Sequence, residues 1–407
     1  MAFEMGSDLY NRLKQLKRER EGGGPAGTPG GAARSSEGAA PRPPSTAGVA
    51  ASQGFRVVAE GVWRRTVFTP SDHAAYLEAL LQDGRGSGIV PQGFDADHLV
   101  FFDAETTGLS SGAGTTAFLV GFGRLGAGGI TTEQLFMADY PAEPAFLKEL
   151  GALLGEEDLA VSYNGKGFDS HVLRTRHLLH GMRLPLGAQL DLLYTTRRLW
   201  QRRLTECSLG TVERMVLGVV RDRDLPSAEV PERYFAFLRS ADSSLLEEVF
   251  AHHLKDIESL VGLLAEVERT LAEPSTAVGV DPYGLGRMLL ARDREEGEYL
   301  LETVIDSEPS VREALRAAGE LARHRRRAGR FEAAASVWKR VLQRHASVTA
   351  GIEVAKHLEH KRRDFAAAEE LVRKLLSWPH SLPYRGELEH RLGRLERRSG
   401  RQPSSPR

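Results

Sequence analysis

Eleven residues constrain this 407-residue chain more than any others. In Leu99-Val100-Phe101-Phe102-Asp103-Ala104-Glu105-Thr106-Thr107-Gly108-Leu109, four apolar residues lead directly into two carboxylates one residue apart. A short apolar run of β-branched and aromatic residues predicts a buried strand. Strand side chains alternate, so Asp103 and Glu105 project from the same face. Side by side at the end of a buried strand, the two acids repel and each loses hydration. Either they are solvated where the chain turns at Gly108, or a cation lies between them, most simply a divalent metal.

The surrounding pattern predicts a sheet. Two β-prone runs, 55–58 and 62–68, read as a hairpin that precedes this strand and lies against its domain. Further strands are expected at Thr115–Gly123 and Ile130–Met137, with Gly126–Gly129 as the turn between them. A helix over Pro144–Leu154, a short strand over Leu159–Tyr163, a helix over Phe168–His180 and a strand over Leu190–Leu193 follow. Everything beyond reads as helix. Strands interleaved with helices in this order predict an α/β mixed sheet with helices on its faces.

Two later segments carry more acids. In Ser162-Tyr163-Asn164-Gly165-Lys166-Gly167-Phe168-Asp169, a buried strand runs into a Gly-rich loop and an acid opens the next helix. Asp169 there is favoured by the helix N-terminus, and a cap is its simplest role. In Phe250-Ala251-His252-His253-Leu254-Lys255-Asp256, His252 lies one helical turn before Asp256 on the same face. By itself that is a local pair. Leu246, Val249, Phe250, Leu254, Ile257, Leu260 and Val261 mark the buried side of this helix.

The three segments together resemble the DEDD exonuclease superfamily of ribonuclease-H-like folds, over roughly residues 95–268. Asp103-x-Glu105 with Thr106-Thr107-Gly108-Leu109 matches the first motif, Asn164-x3-Phe168-Asp169 the second, and His252-x3-Asp256 the third. The stretch from Asp222 through Pro226, Pro231, Tyr234 and Asp242 into His252-His253 is similar to the bacterial YprB-type subgroup. The resemblance implies a metal-dependent nuclease, in which Asp103, Glu105, Asp169 and Asp256 hold two Mg²⁺ or Mn²⁺ ions about 4 Å apart. One ion would lower the pKa of an attacking water, and the other would stabilise the leaving 3′-oxygen. It further implies that Thr106, Thr107, Gly108 and Leu109 seat the terminal nucleotide, Leu109 lying against a base, with Asn164 and Phe168 shaping the adjoining wall. The third motif departs from the family. Its usual forms have His five residues before the last Asp, or Tyr four before it; here His stands at the tyrosine spacing and Ala251 at the histidine position. His252 and His253 are therefore both candidates for the general base.

Composition sets limits on the rest. With 41% apolar and 27% charged residues and a net charge of −1, the chain is ordinary for a globular protein and carries no global polyanion signature. The charge is uneven: 26 Lys and Arg against 19 Asp and Glu from Asp281 onward leave +7 there and −8 before it. A basic final third either helps hold a polyanion or is a set of solvated helix faces. One cysteine, Cys207, excludes an intramolecular disulfide and a cysteine-based zinc site and fits a reduced, cytoplasmic setting; it is expected to pack as a small apolar residue. No signal peptide or membrane span is evident. Residues 1–53 read as a short helix over 6–20, with Leu9, Leu13 and Leu16 on one face, followed by a Gly/Pro/Ser-rich tether.

The expected domains are that tether, the hairpin extension over 54–94, the nuclease domain over 95–270, a linker over 271–282, a helical repeat over 283–400 and a tail over 401–407. The repeat rests on a period. Phe331-Glu-Ala333-Ala334 and Phe365-Ala-Ala367-Ala368 lie 34 residues apart, as do Val341-Leu342 and Leu375-Leu376. Paired helices at this period resemble tetratricopeptide repeats, which bind protein segments. Arg325 and Lys356 depart from that pattern, and an irregular bundle with coincidental spacing is the alternative. Further helices are expected near Tyr283–Val304 and Tyr384–Arg398. The leading function is thus a nuclease acting on a single-stranded 3′ end of DNA or RNA, with a repeat module for a protein partner. The alternative is a nucleic-acid-binding scaffold without turnover. A Walker-type phosphate loop is excluded, since Asn164-Gly-Lys-Gly167 lacks its spacing and its Ser/Thr.

Overall fold

In a computed structural model, residues 53–108, 114–221, 225–277 and 279–399 of the protein are described. The expected N-terminal helix and tether, the C-terminal tail, Leu109 and the Asp222 end of the subgroup stretch lie outside these residues.

Among the described residues seven strands form one sheet in the order β1-β2-β5-β4-β3-β6-β7. They are β1 (Arg56–Ala59), β2 (Val62–Pro70), β3 (Leu99–Thr106), β4 (Ala117–Gly126), β5 (Gly129–Met137), β6 (Leu159–Ser162) and β7 (Ala188–Asp191). β3, β6 and β7 are parallel and the remaining pairs antiparallel. The first acidic strand is central, and Leu99, Val100 and Phe101 are fully buried, as its apolar lead requires. The β4–β5 turn places Ala127 and Gly128 at φ 55° and 74°, the left-handed pair that a tight hairpin demands.

The hairpin lies against the domain by joining its sheet. β2 pairs with β5 along its whole length, from Val62 opposite Met137 to Pro70 opposite Gly129. A helix over the same stretch, α1 (Asp72–Gln82), is capped by Ser71, whose hydroxyl accepts from the Ala74 amide; its Ala74 and Leu77 are fully buried. β7 and the helix that follows it divide the expected strand at 190–193: Asp191 ends the strand and caps α4 (Leu192–Trp200) through the Leu193 amide.

Helices cover both faces. Phe146, Leu147 and Leu150 of α2 (Glu143–Gly151), Leu173 of α3 (Asp169–Leu179) and Tyr234 and Phe237 of α6 (Val230–Ser240) pack on one side. Tyr234 stacks on Phe118 at 4.0 Å and donates its hydroxyl to the Met137 carbonyl at 3.0 Å. The four-residue α5 (Leu209–Val212) precedes α6 in the chain. On the other side lie α1, α4 and most of the 26-residue α7 (Glu247–Ala272).

Among the described residues seven more α-helices follow: α8 (Pro282–Leu290), α9 (Glu296–Ser307), α10 (Val311–Arg327), α11 (Phe331–His345), α12 (Val348–His357), α13 (Phe365–Leu376) and α14 (Arg385–Ser399). Each packs on the next. α11 and α13 begin 34 residues apart, with Ala334 and Ala368 buried at the same point in each. Arg325 is buried because it bonds Glu298 at 2.9 Å, Glu302 and the Ala333 carbonyl. Cys207 is half-buried rather than packed away, and its carbonyl accepts from the Tyr163 hydroxyl at 2.8 Å. Among the described residues no helix is long and apolar enough to cross a membrane.

Candidate active site

Three elements meet where β3 and β6 end. Asp103 and Glu105 stand on β3, Asp169 opens α3, and Asp256 comes from the third turn of α7. All four acids line one cavity of about 510 Å³, together with Thr106, Asn164, Phe168 and His252. Asp169 does not cap its helix; Phe168 occupies the cap position without a side-chain bond. Gly165 makes room for it, because a Cβ there would lie 3.1 Å from the Asp169 carboxylate and 2.7 Å from Ser162. Asn164 takes the left-handed conformation, φ 62°, to turn the loop.

The acids pay an electrostatic cost for meeting. Burial, then Asp256, Asp169 and Glu105, push Asp103 well above the ordinary carboxyl range. Glu105 is raised to about 8 by burial, Asp256 and Asp169, and Asp169 to about 7 by burial and Asp191. Burial also raises Asp256, although His252 and Arg221 oppose it. One carboxylate oxygen each from Glu105 and Asp256 and a ring nitrogen of His252 lie within 4.8 Å of one another. A hard divalent cation suits this oxygen-rich set and relieves its repulsion.

The two histidines separate. His252 lines the cavity: its Nδ1 accepts from Arg221 at 2.8 Å, and its Nε2 faces Asp256 at 3.3 Å. His253 does not reach the cavity and is fully buried. Gln134 donates to His253 Nδ1 at 2.8 Å and to the Phe250 carbonyl at 3.0 Å, while Arg65 donates to the Gln134 carbonyl oxygen. His253 Nε2 therefore carries the proton and donates to the main-chain carbonyl of Asp103 at 3.1 Å. Burial depresses its pKa to about 3, which favours the neutral ring, and Nε2 lies 3.9 Å from the Asp103 carboxylate. Of the two candidate bases, His252 lines the cavity and His253 does not.

Thr107 and Gly108 also lie off the cavity wall. Thr107 is tied to Thr116 through its amide and its hydroxyl, and the Thr106 hydroxyl donates to the Gly108 carbonyl. Sequence reasoning missed Arg221, which bonds Glu213, Asp256 and His252 at once. It also missed Asp191, whose carboxylate accepts from the Asn164, Lys166 and Leu193 amides and braces the second acidic loop. Its short polar side chain before an apolar helical run was a readable capping signal.

Residues 100–267 match the RNase_H superfamily, a span that holds the four acids and both histidines. The chain is also similar to the "Uncharacterized protein YprB" of Bacillus subtilis (strain 168), 31% identical over 351 residues, which cover 82% of this chain and 83% of that protein. That likeness is about twice as long as the superfamily match, so it extends well beyond the sheet.

Proposed function

The chain belongs to the RNase_H superfamily, and on that premise we propose that it is a DEDD-type exonuclease that shortens single-stranded DNA or RNA from the 3′ end with two Mg²⁺ or Mn²⁺ ions. The observation that carries the reading is the convergence of four carboxylates from three elements on one cavity.

Asp103, Glu105, Asp169 and Asp256 are the residues that would hold the ions. When bound, the ions supply Lewis acidity at the phosphoryl oxygens and offset the charge that develops there. His252 is the base in this reading, because it is the candidate imidazole that faces the cavity. Its Nδ1 lone pair is engaged by Arg221, so accepting a proton there requires that contact to open. Thr106, Asn164 and Phe168 shape the seat of the terminal nucleotide, and the motif assigns Thr107, Gly108 and Leu109 to the same task. His253 positions β3 and takes no proton. The helices beginning at Phe331 and Phe365 belong to tetratricopeptide-like pairs that take a protein segment, and the single cysteine fits a reduced, cytoplasmic setting.

One observation favours the second reading, a nucleic-acid-binding scaffold. The Arg221 guanidinium already satisfies Asp256, as an ion would. The test is incubation of the full chain with 3′-ended single strands in Mg²⁺ or Mn²⁺. Stepwise shortening that chelator stops and Asp103→Ala abolishes is expected. Identical, chelator-insensitive traces from both proteins reject the nuclease; filter binding without product in any divalent metal supports the scaffold.

A further inference from the structure

A second cavity, about 730 Å³, lies away from the acids where α4 meets the C-terminal helices. From the sheet side, Arg197, Arg198 and Arg202 line it. From the helical side come Arg287, Arg292, Arg312 and Arg316, against only two lining acids, Asp281 and Glu313. Those acids are already used. Asp281 caps α8 through the Tyr283 amide and pairs with Arg202 at 3.5 Å; Glu313 pairs with Arg202 and Arg316. Arg292 is fixed by the Ser87, Met288 and Gly88 carbonyls, and Arg316 lies over the Tyr283 ring at 4.8 Å. Arg197, Arg198 and Arg312 are exposed and have no ion-pair partner among the described residues.

The joint that makes this cavity is tightly built. The Asp281 amide donates to the Leu199 carbonyl at 2.7 Å. Gly284 lets α8 approach so closely that a Cβ there would fall on the Arg198 carbonyl. The cationic groups therefore cannot relax apart by rotating one region against the other. Arg202, Arg287 and Arg316 are offset by Asp281, Glu308, Glu313 and Glu320, whereas the charges of Arg197, Arg198 and Arg312 are left for an anion that enters the concavity.

The helix α4 links the two cavities. Its leading end is Asp191, which braces the Asn164–Lys166 loop beside the acids. Its trailing end carries Arg197 and Arg198, about 10 Å further along the helix axis at about 1.5 Å per residue. An acidic catalytic pocket repels a polyanion, so a strand entering it gains most from cations placed behind the pocket. We infer that the arginine cavity binds the phosphodiester backbone of single-stranded nucleic acid trailing from the acidic site. This rests on the reading of the chain as one that acts on nucleic acid.

The experiment is fluorescence anisotropy of a labelled single-stranded oligothymidylate with the full chain in excess chelator, across a salt series. Binding is thus scored without chemistry. Replacing Arg197, Arg198 and Arg312 together by Gln is expected to weaken binding and to flatten the dependence of log K on log salt by about 2, at about 0.7 per lost phosphate contact. The corresponding triple Lys variant keeps the charge and is expected to retain the wild-type slope, which separates lost cations from damaged structure. A Gln variant with wild-type affinity and slope overturns the inference, as does a wild-type chain that does not bind the oligonucleotide. Cleavage in Mn²⁺ is scored separately. Loss of slope without cleavage upholds this cavity and rejects the nuclease, whereas cleavage with an unchanged slope does the reverse.

Discussion

His253 Nε2 donates to the main-chain carbonyl of Asp103 at 3.1 Å, so the helix carrying the last acid is tied to the strand carrying the first. The bond runs from a fully buried ring to backbone, and it sets the spacing of the acids without entering their cavity. His253→Ala strips one bond from the Gln134 amide, which keeps Phe250 and Arg65, and removes the His253 donor from the Asp103 carbonyl beside a void. A loss of roughly 2–4 kcal/mol is expected, read from denaturant unfolding. His252→Ala should instead cost about 10²–10⁴-fold in turnover with little change in unfolding. If the two variants exchange these phenotypes, the assignment of their roles is wrong.

Arg221 neutralises two buried acids. Its side chain is 11% exposed, and those of Glu213 and Asp256 are 2% and 12% exposed. Arg221→Met strands Glu213 and leaves Asp256 with His252 alone, and should cost about 3–5 kcal/mol. Because a bound cation offsets the charge left on Asp256, Mn²⁺ should raise the melting temperature of this variant more than that of the wild type. Equal Mn²⁺ shifts in thermal unfolding would count against the acids sharing an ion.

The pH dependence of the metal-free protein has a definite sign. Glu105 at about 8 and Asp169 at about 7 lie above their ordinary 4.5 and 3.8, and Asp103 moves the same way. The folded chain keeps protons that the unfolded chain has released. The stability these groups contribute is complete below the unfolded values and disappears as pH rises through the folded ones. His253 acts oppositely: with its folded value at about 3 rather than 6.5, its contribution is full above about 6.5 and lost in acid. Between about pH 6.5 and 8 the acids therefore decide the slope, and stability should fall as pH rises, by up to about 1.4 kcal/mol per pH unit for each differing proton. Urea unfolding in chelator should show this decline, and saturating Mn²⁺ should flatten it.

Gly121 faces α7 from β4, directly opposite Asp103. A Cβ there would collide with Ile257 and lie 2.5 Å from the His253 ring. The ring is held by bonds at both nitrogens and cannot swing aside. Gly121→Ala should destabilise by about 1–3 kcal/mol and reduce turnover by shifting Asp256, whereas Gly126→Ala, where a Cβ meets nothing within 4 Å, should do neither. Parallel stability and activity assays on the two variants check this.

Local pattern carried most of the sheet and all four acids into view, because strand alternation and motif spacing are short-range properties. The role of His253 was also legible. It stands four residues after Val249, three after Phe250 and four before Ile257, on the apolar stripe of its helix. Motif spacing drew attention to it as a base when periodicity already marked it as core. The helix α1 was similarly readable from Ser71 and the Ala74, Leu77, Leu80 spacing. The Arg65–Gln134–His253 chain and the Arg221 clamp were not. Their members lie far apart in sequence, and polar partners chosen by tertiary packing leave no periodic trace. The pairing of β2 with β5 was hidden for the same reason.

That pairing fixes where a usable fragment can begin. A piece cut at the expected boundary near residue 95 would lose β1 and β2 and bare β5 along nine residues, from Gly129 to Met137. Unpaired amides and carbonyls along such an edge recruit other chains, and the product would tend to self-associate. The smallest soluble piece bearing the four acids should therefore keep the hairpin that starts at Arg56.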